Sequence, residues 1–490
     1  MDGIPMKQGE TKRSWARSVG AVVWLACAIS VVLMLPTSSR AAEGDDEKPT
    51  RSGFVAGEIG YEGLGEDDYI GLRAKGGFQL PVPRVMCPDA SECWTRLLGQ
   101  FELPLRLRVV DRNPQDSGAI RDADWDEVAD YLRVLRRVEY GRDGEALHGR
   151  LGELGDLDIG HGSIVGDYYN VVTADYWELG LNVTSDTPWG GGQLLVDNLA
   201  NPDLIGGRAY LRPAAFFDRE SEWNRVTVGL TVASDVDAPY TLDRQPNDTP
   251  VIGPARRPAV AEQRAATIGG VDLSVDAVDT ETWSLTPYID GNYHFQLGGG
   301  MHTGFDLRVE PTDDLVFEGS FEYRLLGNDY LPTYFGTLYE IDRYQYYGWD
   351  VGLPAPKQRV AATQPSGIRH GGHGVISARV FDWFDLSIGY ADHQGGANSN
   401  LTAQLRVDPI ERFQLGAFFY TQSFDGAQGI VDGDSMLFVG ETRVQIWGPL
   451  YGKAGYSRLW ELRDTGRYDV VNRWTVGVGA SVGFSEDSGS

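Results

Sequence analysis

The 490-residue chain is short of cysteine, of positive charge and of long apolar runs. It has three cysteines, and Cys27 lies inside an apolar N-terminal stretch. That leaves Cys87 and Cys93, six apart in a segment rich in Pro, Asp and Ser. The segment offers no further metal ligands, so a small disulfide-closed loop is expected in an oxidising compartment. Lys and Arg number 43 against 70 Asp and Glu, a net charge of −27. Nucleic acid is therefore not an expected partner, since neutralising phosphates needs a basic surface. Beyond residue 41 no stretch approaches the roughly 18 consecutive apolar residues of a membrane helix. This excludes helical spans but not a membrane barrel, in which only alternate strand residues face lipid. Self-similarity at a fixed period is also missing, which excludes a propeller or repeat array.

The N-terminus reads as an export signal covering residues 1–41. Lys7, Lys12, Arg13 and Arg17 form a positive region, Ala21 to Leu35 is apolar, and Ser39-Arg40-Ala41 offers small residues for cleavage. Its removal takes away five bases and two acids and leaves a mature net charge of −30. Residues 42–52 follow as a polar leader.

What the chain has in abundance is alternation. Leu401, Ala403, Leu405 and Val407 oppose Thr402, Gln404, Arg406 and Asp408. Trp474, Val476, Val478, Ala480, Val482 and Phe484 oppose Thr475, Gly477, Gly479, Ser481 and Gly483. Successive side chains on a strand point to opposite faces, so each segment has one apolar and one polar or small face. A soluble sandwich alternates in the same way, and the connections decide between the two. Short turns at 309–315, 381–384, 407–413 and 446–450 alternate with long polar connections at 327–370, 391–399, 422–433 and 462–470. Sorting of short and long connections onto opposite rims is a barrel property, which a sandwich has no reason to share. The count is about 18 strands, two either way, with 16–18 favoured because bacterial barrels prefer even numbers. One segment departs: Asp122 to Tyr140 carries Trp125, Val128, Leu132 and Leu135 at helical spacing, and a helical insertion near 122–140 is predicted.

On the signal, the alternating hairpins from 300 to 484 and the terminal strand Trp474–Phe484, the chain resembles a Gram-negative bacterial outer-membrane β-barrel of the porin-like type. The resemblance implies an all-β, antiparallel up-and-down barrel over 53–484, outer-membrane localisation, and passive passage of small hydrophilic solutes. It further implies outer-membrane lipid and the barrel assembly machinery as partners, with a homo-oligomer possible and no cofactor. Such barrels commonly end on an aromatic residue, whereas Phe484 is followed here by the polar tail 485–490.

Charges near the lipid midplane destabilise a barrel by about 2–4 kcal/mol for Arg or Lys, so the strand charges are expected to point inward. The candidate lumen residues are Arg106, Arg108, Arg208, Arg212, Arg225, Arg308, Arg324, Arg379, Arg406, Arg443, Glu102, Glu318, Glu322 and Glu441, with Glu178 and Asp306 beside them. They read either as a conduit whose basic stripe favours anions or as a paired ion network filling the lumen. Tyr176, Trp177, Trp349, Trp383, Trp447, Trp460 and Trp474 sit where strands meet loops, as interfacial girdles require, a sugar slide being the sharper alternative. His370 and His373 could offer metal ligands, and Asp432-Gly433-Asp434-Ser435 and Glu66-Asp67-Asp68 could hold calcium, although none matches a full ligand set. His161 and Ser163 suggest a hydrolase, but no nucleophile elbow or triad order accompanies them, so no catalytic residue is assigned. A secreted soluble all-β binding protein and a barrel hydrolase are the alternatives to the channel.

Overall fold

A computed structural model describes residues 50–486 apart from 65–66, 86–92, 113–117, 122–123, 126–127, 172–176, 219, 254–256, 313, 346–354, 365–366, 395–398, 411, 425–428, 431–435 and 464–467. The signal, most of the leader, Cys87, Glu66, Tyr176, Trp349, the 432–435 turn and the last four residues lie outside the described residues.

Twenty strands follow one another in chain order, each antiparallel to the next. The first, Arg51–Leu64, pairs with the last, Tyr468–Glu486, through Gly53↔Phe484, Gly57↔Ala480 and Gly60↔Gly477. The sheet is thus a closed up-and-down barrel, as the alternation implied, and the soluble sandwich is set aside. Closure satisfies every strand edge, which lipid demands because it offers no hydrogen bonds to a free N–H or C=O. The polar leader and tail are shorter than expected, for pairing runs from Arg51 to Glu486.

The count is twenty, at the upper limit of the expected range, and the strand most easily missed lies in the helical-looking segment. There the prediction is corrected. Among the described residues of this segment Val128–Leu132 is α-helical, while Leu135–Tyr140 is a strand paired with Trp94–Val110 and Leu147–Gly152. Pairing shifts between Gln100↔Arg137 and Phe101↔Leu135, so Arg136 is the extra residue of a β-bulge. The bulge breaks the period-2 pattern at the start of the strand, and Leu135 falls in step with Val128 and Leu132 of the short helix before it.

One rim holds both ends of the barrel and the tight turns at 188–189, 313–314, 411–412 and 448–449. The other carries the long connections 153–179, 236–265 and 327–368. Outside, Val55, Ile59, Leu230, Val271, Ile289, Ile376 and Val478 present an exposed apolar belt. Trp223, Trp283, Trp383 and Trp447 stand exposed along the tight-turn rim, with Tyr293, Tyr323, Tyr390 and Trp474 toward the other, forming two girdles. Trp177 and Trp460 are corrections to that expectation. Both are buried, and Trp177 donates its Nε1–H to Glu153 Oε1 at 3.0 Å.

The long connections do not stay outside. Leu157, Ile159, Ile164, Val165 and Tyr168 pack with Leu331, Tyr334, Phe335 and Tyr339 against wall residues Leu195, Leu204, Ala233 and Ile268. Val165 and Phe335 form a parallel bridge. On the helical turn Tyr339–Asp342, Ile341 joins Leu338 and Tyr344 in a second cluster with Tyr420, Leu437, Trp460 and Tyr468, on strands remote from the first. Segment 328–345 is therefore a crossbar anchored on two parts of the wall.

The closing seam is tight: a Cβ on Gly60 would meet Val476 O at 2.8 Å, and one on Gly477 would meet Ile59 O at 2.8 Å. Gly477→Val is expected to weaken closure by about 1–3 kcal/mol, as overpacking does. Heat-modifiable migration in a detergent gel checks this, with the folded band lost at a lower temperature. An unchanged melting profile would contradict the seam packing.

Candidate functional site: a charged lumen crossed by two loops

Strand pairing places the inward face unambiguously. Glu58↔Arg73, Lys75↔Glu102 and Gly71↔Arg106 share one face, and Arg308↔Glu318, Glu322↔His373, Arg379↔Asp385, Asp385↔Arg406 and Arg443↔Lys453 continue it. The opposite parity carries the apolar belt. Arg106, Arg108, Arg208, Arg308, Arg324, Arg379, Arg406, Arg443, Glu102, Glu318, Glu322 and Glu441 all lie on this inward face. Arg212 sits just beyond its strand at the tight-turn rim, where Nη1 donates to Asp186 Oδ1 at 2.7 Å. Arg225 departs from the expectation: it belongs to the rim turn Glu222–Arg225, half exposed, 3.6 Å from Glu222. Glu178 also departs, for it lies buried in a connection rather than in a strand.

The basic residues are not a free stripe. Arg106 Nε donates to Glu62 at 2.9 Å and its Nη1 to Asp124 at 2.8 Å. Arg108 meets Asp67 at 3.0 Å, Arg208 binds Asp272, and Arg324 binds Glu322. Arg379 and Arg406 share Asp385, Arg308 bonds Glu310 and Glu318, and Arg443 lies over the Tyr451 ring at 3.4 Å. Sequence reasoning overlooked Arg73, Lys75, Lys453, Glu58 and Glu62, which form a mutual network with Glu102 and Glu441 on the first, second, third, eighteenth and nineteenth strands. Their inward parity was available in the alternation of 56–62 and 69–75. The pairing network, not the anion stripe, describes these residues.

Asp124 is the densest knot. Fully buried, it accepts from Arg106 and, through Oδ1, from Arg121 at 2.6 Å and Arg133 at 3.1 Å. These bonds fasten Arg121, Asp124 and Arg133 to Arg106 of the inner wall. The surrounding guanidinium groups hold its carboxyl below the usual range despite its burial.

The Gly160-His161-Gly162-Ser163 turn enters the lumen with Gly160 and Gly162 at φ +63° and +74°, the left-handed region that glycine tolerates. His161 stacks on Tyr288 with centroids 3.8 Å apart, and its ring nitrogens face Asp306 at 3.4 Å and Asp272 at 3.7 Å. The Ser163 hydroxyl donates to Asp290, and Asn292 donates to it at 3.0 Å. Ser163 is thus bonded to the wall and not to His161, so the pair anchors a loop and does not form a nucleophile with its base. His370 and His373 fall on opposite faces: His370 meets Tyr323 on the outer wall, and His373 faces Glu322 inside. They cannot share a metal. Asp67 and Asp68 are occupied by Arg108 and Arg112. Cys93 is disulfide-bonded.

What remains open is a cavity of about 1060 Å³ bounded by the in-folded turn and by the wall strands from Trp283–His294 to Met436–Trp447. Asp156, Asp158, Asp167, Asp306, Glu318, Asp342, Asp385 and Glu441 line it against Arg308, Arg324, Lys357, Arg379 and Arg406. Carboxylates exceed cations by eight to five. A second cavity of about 320 Å³, rich in Arg and Lys, meets Glu441 from the other side. Desolvation inside the barrel, with Asp156 and Asp306 nearby, pushes Asp158 up to about 6, although its side chain is exposed to the cavity. Burial also pushes Asp342 up to about 6, although Lys357, 3.6 Å away, opposes it.

A closed sheet with an apolar exterior, two aromatic girdles and a charged interior defines a transmembrane β-barrel of the outer-membrane type. No known family's sequence profile matches the chain, and no curated protein does. Among solved structures it is similar to OccAB4 of Acinetobacter baumannii, with 8% identity over 90% of this chain and 100% of that one and a TM-score of 0.31. It is also similar to OccK8 (OprE) of Pseudomonas aeruginosa, at 8% identity, 89% and 98% coverage and TM-score 0.33. A third is the siderophore receptor PirA of Acinetobacter baumannii, at 8% identity, 91% and 81% coverage and TM-score 0.34. Likeness of this degree carries no functional argument, and the assignment above rests on strand pairing and side-chain placement.

Removing the Asp124 carboxylate breaks a buried pair, at a cost of about 3–5 kcal/mol. Asp124→Ala should therefore lower the melting of the folded band markedly. Asp408→Ala, which loses only the exposed contact to Arg406 at 3.1 Å, should leave it unchanged within about 0.5 kcal/mol. Equal effects from the two variants would contradict the knot.

Proposed function

We propose that the protein is a porin-like channel for passive passage of small hydrophilic solutes across the outer membrane. The observation that carries this reading is the closed twenty-strand barrel with a charged cavity of about 1060 Å³ inside. Barrels of that size hold an aqueous lumen, which in-folded loops narrow here. Export through the 1–41 signal and insertion by the barrel assembly machinery belong to the same proposal. The Arg and Glu residues of the inward face line the path. Because the arginines are paired and the larger cavity has more carboxylates than cations, the channel favours small cations weakly over anions. Steps requiring a nucleophile play no part, since Ser163 and His161 serve as loop anchors.

The test is the reversal potential of the reconstituted protein under a potassium chloride gradient. Asp158 and Asp342 line the larger cavity and are held above the usual carboxylate range, at about 6, so both gain charge later than ordinary carboxylates as pH rises. Cation preference should therefore be weak at a pH of about 5 and larger at about 7.5, where ordinary carboxylates no longer titrate. Asp158→Asn should reduce that difference. Anion preference at both values would overturn the selectivity, and failure to pass ions at all would overturn the channel.

A further inference from the structure

Three carboxylates outside the conduit converge where three connections meet. Glu178 precedes the strand Gly180–Thr187, Asp197 follows Gly190–Val196, and Glu340 belongs to the crossbar turn Tyr339–Asp342. They are 2%, 1% and 1% exposed, and one ligand oxygen from each lies within 4.8 Å of the others. Two oxygens each about 2.4 Å from one ion are at most about 4.8 Å apart, so this spacing fits a single calcium-sized cation.

The remaining contacts account for only half of each carboxylate. Glu178 Oε1 accepts from Arg257, Asp197 Oδ1 from the Asn198 and Asp203 N–H groups, and Glu340 Oε1 from the Tyr168 hydroxyl at 2.7 Å. Glu178 Oε2, Asp197 Oδ2 and Glu340 Oε2 are buried without a hydrogen-bond partner among the described residues. A carboxylate oxygen buried in that state is costly unless something positive faces it. Local cations do not suffice. Arg343 lies 3.8 Å from Glu340 but is also taken by Asp203 at 2.7 Å and Asp235 at 2.9 Å. Among the described residues, five buried carboxylates therefore share two guanidinium groups, Arg257 and Arg343. The Asn170 amide is spent on the backbone oxygens of Gly152, Glu178 and Asp197, holding the connections together without offering the carboxylates a donor.

We propose that Glu178, Asp197 and Glu340 bind one hard divalent cation of the calcium class, which locks the crossbar to the barrel wall. All-oxygen ligands of this charge select calcium or magnesium over softer metals, and the site ties the crossbar to two connections far from it in sequence. Proton sharing among the three carboxylates is the competing account.

The full-length protein, folded in detergent and stripped with chelator, is titrated with calcium chloride by equilibrium dialysis. Terbium luminescence sensitised by Tyr168 serves as a second readout. The expected result is one ion per chain, with a calcium-dependent rise in melting temperature. Asp197→Asn and Glu340→Gln should each weaken uptake at least tenfold and abolish that rise. Absence of calcium and terbium uptake by the wild-type protein at millimolar concentrations would overturn the proposal, and this outcome can be read even where the variants fail to fold. So would uptake retained in Asp197→Asn, Glu340→Gln and Glu178→Gln, or uptake lost instead in Asp434→Asn on the 432–435 turn. Ion passage by the reconstituted channel is measured separately, so failure of this site leaves the channel reading standing.

Discussion

The pairing of Arg51–Leu64 with Tyr468–Glu486 is the constraint on which everything else rests. Without it two strands of fourteen and nineteen residues would leave their N–H and C=O groups facing hydrocarbon. With it the sheet has no edge, and each side chain is assigned to lipid or to the interior by parity alone. The Gly60–Gly477 pair at the seam lets the two strands approach, at positions where even a methyl group would strike the opposite backbone.

Closure concentrates charge. Most ionic side chains of the strands point inward, so the lumen must balance its own electrostatics. It does so by pairing: Arg106 with Glu62 and Asp124, Arg208 with Asp272, Lys453 with Glu441 and Glu58. The interior is held apart from an empty pore by segments 153–171 and 328–345, whose apolar side chains form a core of their own inside the barrel. Structure thus runs in three shells: an apolar belt, a ring of ion pairs, and an aromatic crossbar. Solute passage and its selectivity depend on the gap left between the second and third.

Much of this was legible in the sequence. Period-2 alternation fixed the register of Arg308, Glu322, Arg406, Glu441 and Arg443, because a slip of one residue would turn an Arg toward lipid. Strict sorting of short and long connections distinguished barrel from sandwich. Other features were hidden for physical reasons. The bulge at Arg136 inserted one residue and gave Leu135–Tyr140 a helical look. The destination of the aromatic segment 328–345 was invisible, since a loop that folds inward has the same composition as a girdle. Pairing of Arg225 with Glu222 followed from a rim turn that no parity rule covers. The carboxylates Glu178, Asp197 and Glu340 are separated by up to 162 residues in sequence, and only the crossbar brings them together.

The central claim is that a water-filled path survives between the ring of ion pairs and the crossbar. Single-channel recording in planar bilayers measures it most directly. The account predicts discrete openings of small conductance, well below that of an unobstructed barrel of about twenty strands, whose diameter grows with strand number. Openings as large as an empty barrel would contradict the in-folded crossbar, and silent insertion would contradict the path itself.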